Sequence, residues 1–337
     1  MSGSAAKLNG VSHRKRLSFR EVLSLSDEEL ARVDPIEMNL LVAKGIPRLA
    51  DLNIPHYQRQ ADAWAEDIRR RLPALEREFH KTPEDWKNCI RFFRLSIVAW
   101  YLDVIVGIAY REDQAHLKRI RYTDPSDLFL NGVMDNLRGT CGNMAALYMA
   151  VCWRLGWPVF LATVRSHNIC RYEDDEVCYN IDASNIGRGG FSSPSDEFYM
   201  TEYNLSRKAI DCGSDLRALS PRETLGIVIG LRARHLENIG LMAEPESDYL
   251  LARYLFPQSR VLYDGQMQNS VQYSMDLFEP HEKGHPVELA SWLQEVVRMA
   301  PWKRKQNSSP KDQEITNASD LDLCFTEMFP GKRNGSA

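Results

Sequence analysis

Residues 138–159 read RGTCGNMAALYMAVCWRLGWPV and place a cysteine directly before a long apolar run. The apolar side chains of this run recur three and four positions apart, which predicts a buried helix from Cys141 to Leu155. The glycine and proline that follow are typical of a helix C-terminus. Thr140 is a residue type that favours the N-cap position. We therefore expect Cys141 to lie in the first turn of a buried helix.

A helix N-terminus gives the thiol of Cys141 a special chemical environment. Backbone N–H groups and the positive end of the helix dipole favour a thiolate, and the pKa of a cysteine so placed can fall well below the free value of about 8.5. The same N–H groups can stabilise an oxyanion. A structural role is the alternative, because cysteine is among the most buried residue types.

Two strands are predicted after the helix, over residues 159–171 and 177–182, because both stretches are rich in β-branched and aromatic residues. The acidic run 173–176 is the expected hairpin turn. His167 and Asp182 lie equally far from its centre, so we expect them to be direct cross-strand partners, with the carboxylate orienting the imidazole. A bulge would shift the register by one residue and leave a surface histidine and an unrelated aspartate.

Cys141, His167 and Asp182 together supply the nucleophile, base and orienting carboxylate that thiol acyl transfer requires. The sequence GTC is followed by AALYMAVCWRLGWPV, then by SH, whose histidine follows the cysteine by 26 residues, and then by NIDASNIGRGG. This order resembles the transglutaminase-like superfamily, which has a papain-like cysteine core, over about residues 90–265. The resemblance is strongest to the bacterial branch with a C-terminal tetratricopeptide-like segment, which residues 220–257 resemble.

The resemblance implies a role for each matching position. Cys141 is then the nucleophile, His167 the base and Asp182 the residue that holds the base. Many members of this branch have an Ile-Pro type sequence in place of the cysteine, so its presence here favours activity. Papain-like enzymes add a side-chain oxyanion donor upstream of the nucleophile, and the nearest amide here is Asn136. The backbone N–H of Gly142 is a second candidate for this support.

Metal chemistry is a minor alternative. HEKGH at residues 281–285 matches the letters of the HExxH zinc-peptidase motif, which needs a continuous helix. Pro280, Gly284 and Pro286 argue against such a helix. A zinc metallopeptidase is therefore kept only as a minor alternative hypothesis. A second set of possible ligands, His167, Cys170, Cys178 and Cys212, matches no zinc-binding spacing. We expect no metal and no cofactor.

The composition of the 337-residue chain is that of a folded globular protein, with 44% hydrophobic and 26% charged residues. The formal net charge of −4 gives no overall basic field, so we expect no nucleic-acid partner. No run approaches the ~20 apolar residues of a membrane span, and no secretory signal is visible. The seven cysteines include no CxxC pair, which favours a reducing compartment. We therefore expect a cytoplasmic protein that does not engage a membrane.

The predicted fold class is α+β, with the cysteine helix on a small antiparallel sheet. Ser26 is the expected N-cap of a short helix, Pro73 is expected to kink or split a helix over residues 57–79, and a seven-turn helix is predicted after Pro83. Five regions are expected: a flexible basic arm (1–17), a helical N-terminal layer (18–125), a transglutaminase-like core (126–215), a C-terminal helical, tetratricopeptide-like segment (216–300) and a disordered tail (301–337).

The predicted function is thiol-dependent acyl transfer on protein or peptide amides. With water as acceptor the protein is a cysteine peptidase or amidase, and with an amine as acceptor it is a transglutaminase-type enzyme. The rival hypothesis is a non-catalytic interaction module, in which the C-terminal helical hairpin binds a protein partner and the triad is a relic. A reactive thiol at Cys141 separates the two hypotheses.

Overall fold

The structure is a computed structural model that describes residues 17–115, 122–165, 167–241 and 244–259. Its helices are α1 (Phe19–Leu23), α2 (Asp27–Leu30), α3 (Pro35–Ala43), α4 (Ile54–Phe79), α5 (Ile90–Trp100), α6 (Glu112–Ala115), α7 (Leu130–Asn136), α8 (Met144–Leu155), α9 (Asp196–Glu202), α10 (Arg207–Asp211), α11 (Pro221–Asn238) and α12 (Glu244–Leu255). Short 3-10 helices cover Pro47–Leu49, Pro83–Trp86, Pro125–Asp127 and Ala183–Asn185, and a π-helix covers Tyr101–Val106. The strands are β1 (Ala109–Tyr110), β2 (Arg138–Gly139), β3 (Val159–Val164), β4 (His167–Glu173) and β5 (Cys178–Ile181). Helices with two small sheets make this an α+β fold, as predicted.

Ser26 begins α2, as the sequence predicts. Its Oγ accepts a hydrogen bond from the Glu29 N–H at 3.3 Å, and the Glu29 carboxylate accepts one from the Ser26 N–H at 2.8 Å. This reciprocal pair satisfies two backbone donors that the first turn of a helix leaves open. Ordered helical structure therefore starts within the first described residues.

The long helix α4 runs through a proline. The sequence predicts that Pro73 kinks or splits this helix, and a split is wrong because α4 continues past the proline to Phe79. Apolar side chains on both sides of Pro73 hold the helix against the core: Ile68 is fully buried, and Leu72 and Leu75 pack against the same cluster. Tertiary packing outweighs the local cost of the proline here.

The predicted seven-turn helix after Pro83 is interrupted. A 3-10 turn is followed by Lys87 and Asn88, whose φ angles of 55° and 52° lie in the left-handed region. Two such residues cannot continue a right-handed helix, so α5 starts after them. The rings of Trp86 and Phe93 nevertheless meet across the break, with centroids 5.0 Å apart. The regularly spaced apolar residues on both sides of the break therefore pack into one core, although they do not belong to a single helix.

The larger sheet has three antiparallel strands in the order β3-β4-β5. The sequence predicts a single strand over residues 159–171, and this is wrong because the chain turns back at Arg165, so that Val164 pairs with His167. Residues 159–171 thus form a hairpin of two strands. The smaller sheet is the parallel pair of β1 and β2.

Helix α8 lies at the centre of the fold. Every residue from Met144 to Cys152 is buried, and a helix that is apolar all round must be enclosed. Helices α3, α4, α5 and α7 pack against it, together with β3 and β4. The opposite face of the sheet is covered by a smaller cluster that includes Tyr199 of α9. The sheet is therefore covered on both faces.

Helices α11 and α12 pack against each other. Gly226 permits this close approach, because a Cβ there would lie 3.0 Å from the carbonyl oxygen of Ala252. Arg232 of α11 bonds both carboxylate oxygens of Asp248 of α12 at 2.6 Å and donates to the Val42 carbonyl oxygen of α3 at 3.0 Å. The ion pair therefore joins the helical pair to the N-terminal helices.

Asp248→Ala is expected to destabilise the protein by about 3–5 kcal/mol, because it leaves the Arg232 guanidinium buried without a counter-ion. Only 3% and 7% of the two side chains are exposed. Urea unfolding followed by circular dichroism measures the loss. Asp211→Ala is the control, because Asp211 pairs with Arg207 and the two side chains are 65% and 80% exposed, so its expected cost is about 0–1 kcal/mol. Equal losses in the two variants contradict the prediction.

Several predicted features lie outside the described residues. They are the arm up to residue 16, the HEKGH motif at 281–285 and the tail at 301–337. The tetratricopeptide-like segment predicted for residues 216–300 is described only as far as residue 259, so this assignment stays a prediction. Within the described ranges, no helix has both the length and the apolar character needed to cross a membrane.

Candidate active site

Cys141 lies in a turn just before α8. The helix begins at Met144, three residues later than predicted. In the preceding turn, backbone N–H groups donate to side chains instead of to helical carbonyl oxygens. The Thr140 N–H donates to Asn143 Oδ1 at 2.9 Å, and the Gly142 N–H donates to Thr140 Oγ1 at 3.0 Å. The Met144 N–H then donates to the Thr140 carbonyl oxygen at 2.9 Å. The N-cap of α8 is therefore Asn143 and not Thr140 as predicted, and Cys141 lies in the turn before the helix and not in its first turn.

The turn that carries Cys141 is anchored to the loop before α7. Thr140 Oγ1 donates to the Asp127 carbonyl oxygen at 2.6 Å, and Asn143 Nδ2 donates to the Ser126 carbonyl oxygen at 2.9 Å. The backbones approach so closely that a Cβ on Gly142 would lie 3.0 Å from the Asp127 carbonyl oxygen. The packing therefore leaves little room for a side chain at residue 142.

His167 and Asp182 meet, although not in the predicted register. The strands β4 and β5 pair Cys170 with Ile181, which offsets the register by two residues from the predicted one. Asp182 follows the end of β5, and its Oδ1 accepts a hydrogen bond from the Ser184 N–H at 3.0 Å. Because side chains alternate with a period of two, an offset of two residues keeps both side chains on the same face. His167 Nε2 lies 3.2 Å from Asp182 Oδ2 and 3.3 Å from Oδ1.

The three predicted residues come together in one site. The His167 imidazole is close enough to the Cys141 thiol for each group to shift the pKa of the other. Since Nε2 faces the Asp182 carboxylate, Nδ1 is the nitrogen left for the sulfur. The site therefore runs from the sulfur through the imidazole to the carboxylate, and only 9% of Cys141 is exposed.

The electrostatics of the site favour a thiolate and an imidazolium. Burial opposes the thiolate, but the hydrogen bond and charge of His167 outweigh it, so the pKa of Cys141 lies below its ordinary value. Burial likewise opposes the imidazolium, but hydrogen bonds to Asp182 and Cys141 raise the pKa of His167 to about 10. Burial disfavours the charged carboxylate, and the bonds from His167 and Ser184 nevertheless lower the pKa of Asp182. Opposite charges thus stabilise one another across the site.

Tyrosines line the site, and no sequence pattern identifies them. The Tyr203 ring stacks on the His167 ring with centroids 5.7 Å apart and planes 14° apart. Tyr122 Oη lies 3.3 Å from Cys141 Sγ. The chain has 13 tyrosines, and no spacing distinguishes these two from the core tyrosines. A contact made across the fold leaves no local pattern.

The two predicted oxyanion-support residues are placed differently from Cys141. Asn136 is exposed at the end of α7, and among the described residues no hydrogen bond joins it to Cys141. The Gly142 N–H is already bonded to Thr140. The Cys141 N–H, by contrast, finds no acceptor in the described part of the chain. The amide best available to an oxyanion is therefore that of the cysteine itself.

The other cysteines of the core have inert surroundings. Cys170 donates its thiol hydrogen to the Ala145 carbonyl oxygen at 3.0 Å. Burial raises the pKa of Cys170 and of Cys152 well above the ordinary value. Within the described ranges, no group of three or more His, Cys, Asp and Glu side chains could hold a metal ion. Cys141 therefore stands apart from the buried thiols around it.

Alkylation of Cys141 by iodoacetamide is expected to have a lower pH midpoint than that of an ordinary cysteine, because its pKa is lowered. Cys178 is an exposed residue, but partial burial of its thiol raises its pKa. Its alkylation should therefore have a higher pH midpoint than that of an ordinary cysteine. Peptide mass spectrometry across a pH series measures both rates in one sample. A Cys141 midpoint at or above that of Cys178 contradicts the ion pair.

Comparison with known proteins adds one finding. A family model described as the transglutaminase-like superfamily matches residues 55–229, which is more than half of the chain. Searches of curated proteins and of solved structures each found no match. The matched range runs from α4 into α11 and contains Cys141, His167 and Asp182.

Proposed function

Because the chain belongs to the transglutaminase-like superfamily, we propose that it catalyses thiol-dependent acyl transfer on protein or peptide amides. The contact between Cys141, His167 and Asp182 carries this proposal. It supplies a nucleophile with a lowered pKa, a protonated imidazole beside it and a carboxylate that holds the imidazole. Cleavage of an amide requires these groups, for attack on the carbonyl carbon and for departure of the amine.

In the proposed acylation step, the Cys141 thiolate attacks the carbonyl carbon of an amide. A C–S bond forms while the π electrons of the carbonyl move to its oxygen, and the Cys141 N–H donates to the oxyanion. The oxyanion collapses, the C–N bond breaks, and the departing nitrogen takes the proton from His167. The products are a free amine and a thioester on Cys141.

In the deacylation step, neutral His167 removes a proton from the acceptor, which attacks the thioester. The C–S bond breaks, and the thiolate and imidazolium are restored. Water as the acceptor yields a carboxylic acid, and a primary amine yields a new amide. Asp182 stays ionised throughout and stabilises the imidazolium, which is consistent with its lowered pKa.

Trapping the acyl-enzyme tests the proposal. The full chain is incubated with a tryptic digest of a denatured protein and a fluorescent primary amine, and the Cys141 peptide is then analysed by mass spectrometry. We expect an added acyl mass on Cys141 that hydroxylamine removes. New peptide termini identify a peptidase, loss of side-chain amide nitrogen an amidase, and amine incorporation a transglutaminase-type enzyme. Absence of acyl-Cys141 and of all three products contradicts the proposal.

A further inference from the structure

We propose that Tyr122 is a catalytic residue, which donates its hydroxyl hydrogen bond to the Cys141 sulfur at rest and to the oxyanion during reaction. His235 of α11 is its positioning residue. The inference rests on the proposed function, because an oxyanion forms only if Cys141 attacks a carbonyl. It gives the helix α11 a part in catalysis.

The first observation is the contact itself. Tyr122 Oη lies 3.3 Å from Cys141 Sγ, within the range of a hydrogen bond to sulfur. A thiolate has no proton to give, so the tyrosine hydroxyl is the donor when Cys141 is ionised. The same segment leads into the loop whose Ser126 and Asp127 carbonyl oxygens hold the Cys141 turn. Donor and nucleophile are therefore fixed to one another by neighbouring contacts.

The second observation is the way in which Tyr122 is held. Its backbone φ is +48°, a left-handed conformation that bulky residues rarely adopt. Its carbonyl oxygen lies 3.1 Å from Nδ1 of His235, which is 1% exposed. A carbonyl only accepts, so Nδ1 carries the proton of this bond. A strained residue persists where its surroundings hold it, and here α11 supplies one of those contacts.

The third observation concerns the protons of the two residues. Burial raises the pKa of Tyr122 well above its ordinary value, and the neighbouring Cys141 raises it further, so the tyrosine stays a donor. Burial lowers the pKa of His235, which therefore remains neutral with its proton on Nδ1. The charged or titratable groups that influence Tyr122 are Cys141, Tyr110 and Arg234. None of these removes the hydroxyl proton at neutral pH.

The chemistry follows the movement of charge. At rest the negative charge is on the Cys141 sulfur. After the C–S bond forms, the negative charge is on the former carbonyl oxygen, which is bonded to the same carbon as the sulfur. The Tyr122 hydroxyl can follow this shift by rotating its O–H, without giving up its proton. With the Cys141 N–H it makes a pair of donors, one from a side chain and one from the backbone.

Tyr122→Phe tests this role while keeping the ring. We expect kcat to fall by about 10²-fold, the loss typical for one oxyanion donor, and the pH midpoint of Cys141 alkylation to rise. Tyr148→Phe is the matched control, because Tyr148 is a buried tyrosine whose hydroxyl bonds the Leu95 carbonyl oxygen. It should leave the alkylation midpoint unchanged. An unchanged or higher kcat in Tyr122→Phe overturns the inference, since the hydroxyl would then be idle or would occupy the place of the substrate carbonyl.

His235→Leu tests the positioning role. It removes the bond to the Tyr122 carbonyl, so kcat should fall and the Cys141 midpoint should rise in the same direction as in Tyr122→Phe. His235→Gln retains an N–H donor and should restore part of both effects. The double variant Tyr122→Phe/His235→Leu should be no slower than Tyr122→Phe alone, because both changes act on one donor. Additive losses, or a midpoint that His235→Leu does not move, overturn the positioning role.

The alkylation profile also separates this inference from the proposed function, because it needs no substrate. If wild-type protein shows no turnover while the Cys141 midpoint depends on Tyr122 and His235, the contact stands and the acyl-transfer proposal fails. If turnover is found but neither variant changes the midpoint, the acyl-transfer proposal stands and the inference fails.

Discussion

Replacing Cys141 by alanine is expected to reduce acyl transfer by on the order of 10⁶-fold, the loss seen when the nucleophile of a well-studied serine hydrolase is removed. The change deletes one sulfur atom and leaves the backbone turn in place, since Thr140 and Asn143 hold that turn. Turnover of the peptide mixture and the acyl mass on the Cys141 peptide measure the effect. A thermal melt should show that the fold is retained.

Cys178→Ser is the matched control for this variant, because it removes an exposed thiol from the neighbouring strand β5. Its turnover should equal that of the wild type. Activity that survives in Cys141→Ala contradicts thiol catalysis at this site and directs attention to the HEKGH motif at residues 281–285. Absence of turnover in the wild type favours the rival hypothesis of an interaction module with a relic triad.

Asp182→Asn is expected to lower kcat by about 10⁴-fold, as in a serine protease whose triad carboxylate is replaced in this way. Asparagine has nearly the same shape and can still accept the hydrogen bond from the Ser184 N–H. It carries no charge, however, so it no longer stabilises the His167 imidazolium. The pKa of Cys141 should consequently rise, and its alkylation should require a higher pH.

Asp196→Asn controls for the loss of a carboxylate in the same part of the fold. Asp196 accepts hydrogen bonds from Arg171 and Asn180 and does not contact His167. We expect it to affect stability and to leave the alkylation profile of Cys141 unchanged. Equal shifts of that profile in the Asp182 and Asp196 variants would mean that general charge, rather than orientation of His167, sets the thiol pKa.

The positions of Cys141, His167 and Asp182 could be selected from the sequence because each sits at a recognisable boundary. The cysteine precedes a helix that is apolar on every side, and the other two flank a hairpin turn. The exact register could not be read, since the turn is residues 174–177 and not 173–176, and moving its centre by one residue offsets the pairing by two. His167 and Asp182 nevertheless meet, because an offset by an even number of residues leaves both side chains on the same face.

Local sequence patterns do not predict the other features of the fold and the site. The left-handed Lys87 and Asn88 and the turn at Arg165 break stretches that look continuous, and packing across the fold decides such breaks. Tyr122 is separated from Cys141 by 19 residues and from His235 by 113. Hydrogen bonds between such distant positions follow from the folded topology, and composition and periodicity carry no trace of them.

Helix α11 shows that a family boundary and a folding boundary are different things. The family match ends at residue 229, midway along this helix. The remaining half carries Arg232, which is tied to α3 and α12, and His235, which is tied to Tyr122. A shortened chain that stopped at the match would keep every member of the triad and lose both ties. We therefore expect the smallest active portion of the chain to extend beyond the residues that the family model matches.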